Sequence, residues 1–264
     1  LNIGPQRKTG AEVMTWLVNA VQEVIDVPLV LDTTNIEAIE AGLKVCNRTA
    51  LINSTDATPE RLNALMPLAA SYDANIIALT LDSRGLPTTI DGRLELVLEQ
   101  ILPAASEYNV PFDHIFLDPL VLTVDGNQDQ ALETIEAVRH FKQICDPPPM
   151  TTCGLSNISN GVPEETRPLM NRTFLTMMLG AGLDSAIMDP LDKELMEVLH
   201  IINSTDKSTS KASLYLDLYD TYARGEQFDT STINMDNPEL ADLAKTIQVL
   251  QNELLYAHGY LGVK

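Results

Sequence analysis

Five short runs in this chain each end on a small polar residue. Asp32 follows Leu29-Val30-Leu31, Asn53 follows Leu51-Ile52, and Asp118 follows Ile115-Phe116-Leu117. Asn157 follows Gly154-Leu155-Ser156, and Asp189 follows Ala186-Ile187-Met188. Around these positions Lys, Arg and His are scarce, with Arg167 the exception. Carboxylates accept hydrogen bonds from amino and ring N–H groups, and amides donate and accept at once. Such a set suits an uncharged ligand rich in N–H donors and ring nitrogens, for example a 2-amino-4-oxo pyrimidine ring. It suits phosphate badly, because phosphate sites are built from Gly-rich loops, helix N-termini and basic side chains. Each position alone also has a structural reading. A short polar residue after a strand caps the next helix, and Asp118-Pro119 doubles as a turn signal. The recurrence of Asp and Asn after otherwise aliphatic strands is what points to a site.

The elements that must hold these residues alternate in type. Strands are expected at Pro28–Asp32, Ala50–Asn53, Asn75–Leu81, Ile115–Asp118, Thr151–Asn157 and Ser185–Asp189. Helices are expected at Ile36–Val45, Pro59–Ser71, Gly92–Tyr108, Gln130–Cys145, Pro168–Gly180 and Lys193–Ile202. This order implies a parallel sheet with right-handed crossovers. Strand ends near 32, 53, 81, 118, 157 and 189 are spaced by 21, 28, 37, 39 and 32 residues. An eight-fold (β/α) barrel has about 31 residues per unit, so a TIM barrel is the expected fold. A Rossmann sheet is the competitor, but no G-x-G-x-x-G comes after any strand. Leu1–Pro5 reads as the end of a further strand, followed by a helix over Gly10–Ile25 with Trp16 in its core-facing stripe. Seven units are thus visible, and the first βα unit is expected to lie upstream of Leu1. Residues 1–202 form the barrel and residues 203–264 an extension. That extension has a polar linker at Asn203–Ser210, a helix at Lys211–Arg224, and a last amphipathic helix over Pro238–His258 with Leu240, Leu243, Ile247, Leu250 and Leu254 on one face. An apolar stripe of this kind most often packs on a core or a second copy. Met177 and Met178 are read as helix packing, and Asp189-Pro190 with Asp192 as the start of the next helix.

Composition narrows the classes. The chain has 264 residues, with 17 Lys+Arg against 37 Asp+Glu and a formal charge of −20, which repels nucleic-acid phosphates and anionic lipid. Hydrophobic residues at 45% supply a large core, and aromatics at 5% leave it to aliphatics and nine Met. No apolar run reaches a membrane span, and no signal peptide is visible. Cys46, Cys145 and Cys153 are odd in number and scattered, which fits a reducing cytoplasm and no disulfide framework. The four His form no H-x-x-x-H pair, so no protein-bound metal is expected.

Several longer blocks then resemble a family. Leu31-Asp32-Thr33-Thr34-Asn35, Ile52-Asn53-Ser54-Thr55, Asp118-Pro119-Leu120, Gly154-Leu155-Ser156-Asn157-Ile158-Ser159 and Arg167-Pro168-Leu169-Met170-Asn171-Arg172-Thr173-Phe174-Leu175 occur in that order. Together they look like the methyltetrahydrofolate:corrinoid-protein methyltransferases. These are pterin-binding barrels related to the folate domain of cobalamin-dependent methionine synthase and, more distantly, to dihydropteroate synthase. The resemblance spans Leu1 to about Ile202. It implies that Asp32, Asn53 and Asp118 grip the pterin ring, that Gly154 and Ser156 shape the pocket, and that Arg167 and Ile187 line it. It implies that Asn157 hydrogen-bonds near N5 of the folate as the catalytic residue. Tetrahydrofolate and 5-methyltetrahydrofolate are the implied substrates. The cobalamin is carried by a separate corrinoid protein, since no D-x-H-x-x-G motif is present, and a homodimer is implied. Three departures stand out. The family's E-R-I-N-type first strand is missing, Asn160 stands where members have Gln or Phe, and the tail is longer. Two other functions compete. A dihydropteroate synthase needs a Lys on the strand reading T-T-C-G-L-S-N and a basic pair at S-A-I-M-D-P, and neither is there. A non-catalytic folate-binding subunit would bind folate without transferring methyl.

Overall fold

The computed structural model describes residues 1–4, 8–205 and 207–262. Pro5 of the expected first strand, Asp206 of the expected linker, and the last two residues of the extension lie outside the described residues. The chain falls into two compact units. One comprises residues 1–119 and 141–151, the other residues 120–140 and 152–264.

The first unit is a parallel α/β layer. Strands β1 (Val30–Asp32), β2 (Leu51–Thr55), β3 (Asn75–Leu79), β4 (Ile115–Asp118) and β5 (Met150–Thr151) form one sheet in chain order, each pairing parallel to the next. A strand of a parallel sheet is covered on both faces, so its residues are apolar throughout rather than alternating. Leu31, Ile52, Ile76, Ala78, Ile115 and Leu117 are wholly buried accordingly. Each fully buried side chain of the Leu/Ile kind contributes roughly 1.5–3 kcal/mol. Ahead of β1, Asn2 bridges Asp32 in parallel and Asp32 N–H donates to the Leu1 carbonyl at 2.9 Å, which is the strand end expected there.

The crossovers of this unit are α1 (Gly10–Gln22), α2 (Ile36–Leu43), α3 (Pro59–Ser71), α4 (Ile90–Leu96) and α5 (Leu102–Tyr108). Asn35, Thr58 and Thr89 cap three of them through side-chain oxygens, as the sequence order of strand, polar residue and helix requires. The single helix expected at Gly92–Tyr108 is broken: a π turn at Val97–Ile101 separates α4 from α5. Pro103 is the cause, since it donates no N–H and its ring crowds the carbonyl four residues back. Trp16 is not in the core. It is 66% exposed, whereas Met14 and Val18 are wholly buried. Residues two positions from both of these lie on the opposite face of a helix at 100° per residue.

The second unit is mainly helical: α6 (Val124–Asn127), α7 (Gln130–Phe141), α8 (Arg167–Gly180), α9 (Lys193–Ser204), α10 (Ser210–Ala223) and α11 (Pro238–Leu250). Its core gathers Ile135 and Val138 from α7, Phe174, Met177 and Met178 from α8, Tyr215 and Leu218 from α10, and Leu243, Ile247 and Leu250 from α11. The apolar stripe of the extension therefore packs against α8, and Met177 and Met178 are helix packing. The last helix stops at Leu250 instead of His258. Asn252 takes φ +60°, and the N–H groups of Glu253 and Leu254 turn back to the Gln248 carbonyl at 2.8 and 3.1 Å. The strands expected at Thr151–Asn157 and Ser185–Asp189 shrink to the two residues of β5 and one parallel bridge between Gly154 and Ile187.

Candidate functional site

In the first unit Asp32 and Asn53 are register partners at the ends of β1 and β2. The Asp32 carboxylate accepts from Asn2 Nδ2 at 3.0 Å, and the Asn53 carbonyl accepts from Thr33 N–H at 3.3 Å. The β2–β3 register shifts between Ile52 and Thr55, so the backbone bulges at Asn53-Ser54 and redirects the strand end. Arg61 of α3 braces that bulge, donating to the carbonyls of Ser54 at 2.8 Å and Thr34 at 3.1 Å.

Asp118 ends β4, with β3 between it and Asn53, and is only 7% exposed. Its carbonyl accepts from both N–H and Oγ1 of Thr80, at 3.0 and 3.1 Å. The next carbonyl, that of Pro119, accepts from Nε of Arg93 at 3.0 Å. Arg93 is wholly buried. Leu120 then adopts φ +62°, a left-handed backbone that costs a non-glycine residue on the order of 1–2 kcal/mol. The buried Asp118, the strained Leu120 two residues on, and the buried Arg93 guanidinium on the carbonyl between them fix the backbone that carries the Asp118 side chain. Strand and motif patterns do not single out Arg93 or Thr80. The one signal is an Arg three residues before the buried Leu96, on the same face of α4.

In the second unit the segment after β5 is not a strand. A 3-10 helix runs over Leu155–Ser159, so Ser156 and Asn157 sit on a tight turn with exposed side chains. Gly154 and Ile187 are held together by two backbone bonds, Leu155 N–H to the Ile187 carbonyl at 3.0 Å and Ile187 N–H to the Cys153 carbonyl at 2.8 Å. A Cβ on Gly154 would lie 3.1 Å from Nδ2 of Asn157, so glycine makes room for that amide. Ile187 is half exposed. Arg167 is the first residue of α8, where a cation opposes the helix dipole by roughly 0.3–1 kcal/mol. Its Nε donates to Ser159 Oγ at 3.4 Å, and that hydroxyl donates to the Ser156 carbonyl at 3.3 Å, tying Arg167 to the turn that bears Asn157.

Ser156 and Arg167 line a cavity of about 310 Å³ with Glu164, Asn171, Asp189 and Asp192. Gly154, Asn157 and Ile187 are not part of its wall. Asp189 Oδ1 accepts from Leu191 N–H at 2.9 Å, and Asp192 caps α9 by accepting from the N–H groups of Glu194 and Leu195. That is the helix-start role expected of this pair. Asn160 offers its carbonyl to the Thr123 hydroxyl and exposes its side chain. Among the described residues no group of three His, Cys, Asp or Glu could hold a metal ion, and no helix is long and apolar enough to cross a membrane.

The family model described as pterin binding enzyme matches residues 4–189. A methylcorrinoid:tetrahydrofolate methyltransferase from Eubacterium limosum is 31% identical over 187 residues, covering 70% of this chain and 68% of the relative. A methionine synthase from Mycobacterium leprae is 33% identical over 190 residues, 69% of this chain, but this chain spans only 16% of that protein. Among solved structures, the 7,8-dihydropteroate synthase of Vibrio fischeri superposes with a TM-score of 0.56 at 18% identity, covering 79% of this chain and 77% of that one. At that identity the likeness is one of fold.

Proposed function

We propose that this chain, which belongs to the pterin-binding enzyme family, is a methyltransferase acting between N5 of tetrahydrofolate and the cobalt of a corrinoid carried by a separate protein. The observation that carries this reading is the 31% identity to the Eubacterium limosum enzyme over 68% of its length. The arrangement at the strand ends supports it. Asp32 and Asn53 stand side by side on paired strands, and the backbone at the buried Asp118 is fixed by Thr80 on its own carbonyl and by Arg93 on the next one, that of Pro119. These acceptors and amides match the amino and ring N–H groups of a pterin.

A methyl group on N5 is a poor electrophile until the nitrogen gains positive character. When the N5–CH3 bond breaks, its electron pair stays on N5, and the new bond to the methyl uses a pair from the cobalt. Asn157 cannot give up a proton, but its amide oxygen accepts a hydrogen bond from protonated N5 and so stabilises the positive nitrogen. Asp32, Asn53, Asp118, Gly154, Ser156, Arg167 and Ile187 hold the pterin, with Arg167 anchoring the turn that carries Asn157. By microscopic reversibility the same residues serve transfer in either direction. An acidic surface favours a corrinoid protein with a basic docking face, and a homodimer in a reducing cytoplasm belongs to the same reading.

The test is a titration with tetrahydrofolate and 5-methyltetrahydrofolate, followed by mixing with a corrinoid protein, methylated or reduced, while the visible spectrum is recorded. Binding of both folates and methyl transfer in at least one direction are expected. Folate binding with no transfer would identify a folate-binding subunit. Condensation of a dihydropterin pyrophosphate with p-aminobenzoate would identify a dihydropteroate synthase instead.

A further inference from the structure

We propose that Asn171 is a further substrate-binding residue, whose amide oxygen accepts a hydrogen bond from an N–H group of the bound reduced folate. The inference rests on the folate reading given above. Helix α8 places Asn171 one turn after Arg167, and both line the cavity of about 310 Å³ that also includes Ser156. The Oδ1 of Asn171 is closed off from solvent and has no hydrogen-bond partner among the described residues. An acceptor buried in this way destabilises the fold, and an apolar side chain of the same shape would fill the space without that penalty. Folding alone therefore gives no reason for an amide here. Groups held at an energetic disadvantage in the free protein cluster where a ligand relieves them.

The geometry allows that relief. The terminal torsion of an Asn is broad, so rotation of the amide can carry Oδ1 from its closed position toward the cavity that the residue already lines. The wall selects the kind of group that would meet it. Glu164, Asp189 and Asp192 add acceptors, and Arg167 is the single cation among the lining residues. Oδ1 of Asp189 and Oδ1 of Asp192 accept from backbone N–H groups, and both carboxylates belong to residues that line the cavity. Such a wall repels a bare anion and favours a neutral group that presents N–H donors. A reduced folate carries these on its saturated ring and on the nitrogen of its arm.

The experiment compares the wild type with Asn171→Leu and Asn171→Asp. Thermal melting is measured without ligand. Affinity for tetrahydrofolate and 5-methyltetrahydrofolate is measured by calorimetry, and KM and kcat by methyl transfer. Asn171→Leu removes the orphaned acceptor and is expected to melt at or above the wild-type temperature. It should nonetheless bind both folates about five-fold or more weakly, with the loss appearing in KM rather than kcat. Asn171→Asp keeps an acceptor and should retain affinity within about two-fold. If Asn171→Leu binds folate as tightly as the wild type, the inference is wrong while the folate reading stands. If both variants melt well below the wild type and lose binding together, Asn171 is a structural residue. A wild type that binds neither folate overturns the functional reading itself.

Discussion

Asn157 lies close to Gly154, where a hypothetical Cβ would be 3.1 Å from Nδ2 and the exposed amide would shift by a few tenths of an ångström to accommodate it. If the amide stabilises positive charge at N5, Asn157→Ala should leave folate affinity within a few-fold and lower methyl transfer by about tenfold or more, roughly 1.4 kcal/mol of transition-state stabilisation. A stopped-flow assay against a reduced corrinoid measures this, and a loss well under tenfold would remove the catalytic role. Arg93 carries a different prediction. Replacing it by Met fills the space but strands the Pro119 carbonyl, and a hydrogen bond from a charged donor contributes about 1.5–3 kcal/mol. The urea midpoint should fall by that equivalent, and folate should bind more weakly because Asp118 adjoins the released carbonyl. That Asp32, Asn53 and Asp118 close their strands is legible in the sequence, because a polar residue ending an apolar strand is conspicuous; Asn157, by contrast, closes a 3-10 turn and not the expected strand. Arg93, Thr80 and Asn171 are not legible there. Their roles depend on which backbone or cavity they face, and nothing in local spacing encodes that.

Among the elements, the sequence pattern locates β1 to β4, since a doubly buried strand is a short aliphatic run between turn residues, but meets β5 only at Thr151. It overruns where hydrogen bonding, not hydropathy, decides the end. Thr151-Thr152 opens the segment with β-branched residues that suit a strand, yet the Asn157 N–H returns to the Gly154 carbonyl at 3.3 Å and the chain winds into a 3-10 turn. Leu254 fits the stripe of α11, yet the helix has already reversed at Asn252. Helix-to-helix contact is likewise invisible until the partner helix is known. Gly180, at the end of α8, lies so close to α10 that a Cβ there would meet the Tyr219 carbonyl oxygen at 2.6 Å and the Tyr222 Cβ at 2.8 Å. Backbone cannot step aside as a flexible side chain does. Gly180→Ala should therefore destabilise the protein by about 1–3 kcal/mol, the usual penalty of overpacking. A melting temperature unchanged or raised by the substitution would show that α8 and α10 do not approach this closely.

At the scale of the whole molecule, an excess of 37 acidic over 17 basic residues leaves a net charge of −20, and each further negative charge is added against that field. The helical unit holds the groups that would add it. Tyr222 donates to Gln251 Oε1 at 3.1 Å in a buried setting, and burial, with Glu136 and Glu253 nearby, pushes its phenol well above the usual range. Burial likewise pushes Tyr260 up to about 12, and burial with Asp125 pushes Tyr256 up to about 12. In the unfolded chain these phenols ionise near pH 10. Below that pH both states hold the proton and the stabilisation is complete. Above it the unfolded chain loses protons that the folded one retains, so stability falls from about pH 10 through the folded values near 12. The guanidinium chloride midpoint should accordingly be flat from pH 8 to about 9.5 and drop steadily beyond. Tyr222→Phe, which has no proton to lose, should start from a lower midpoint because Gln251 Oε1 loses a donor, yet decline less steeply with pH. Equal slopes in the two proteins would mean that water reaches the Tyr222 hydroxyl and that this part of the core is open.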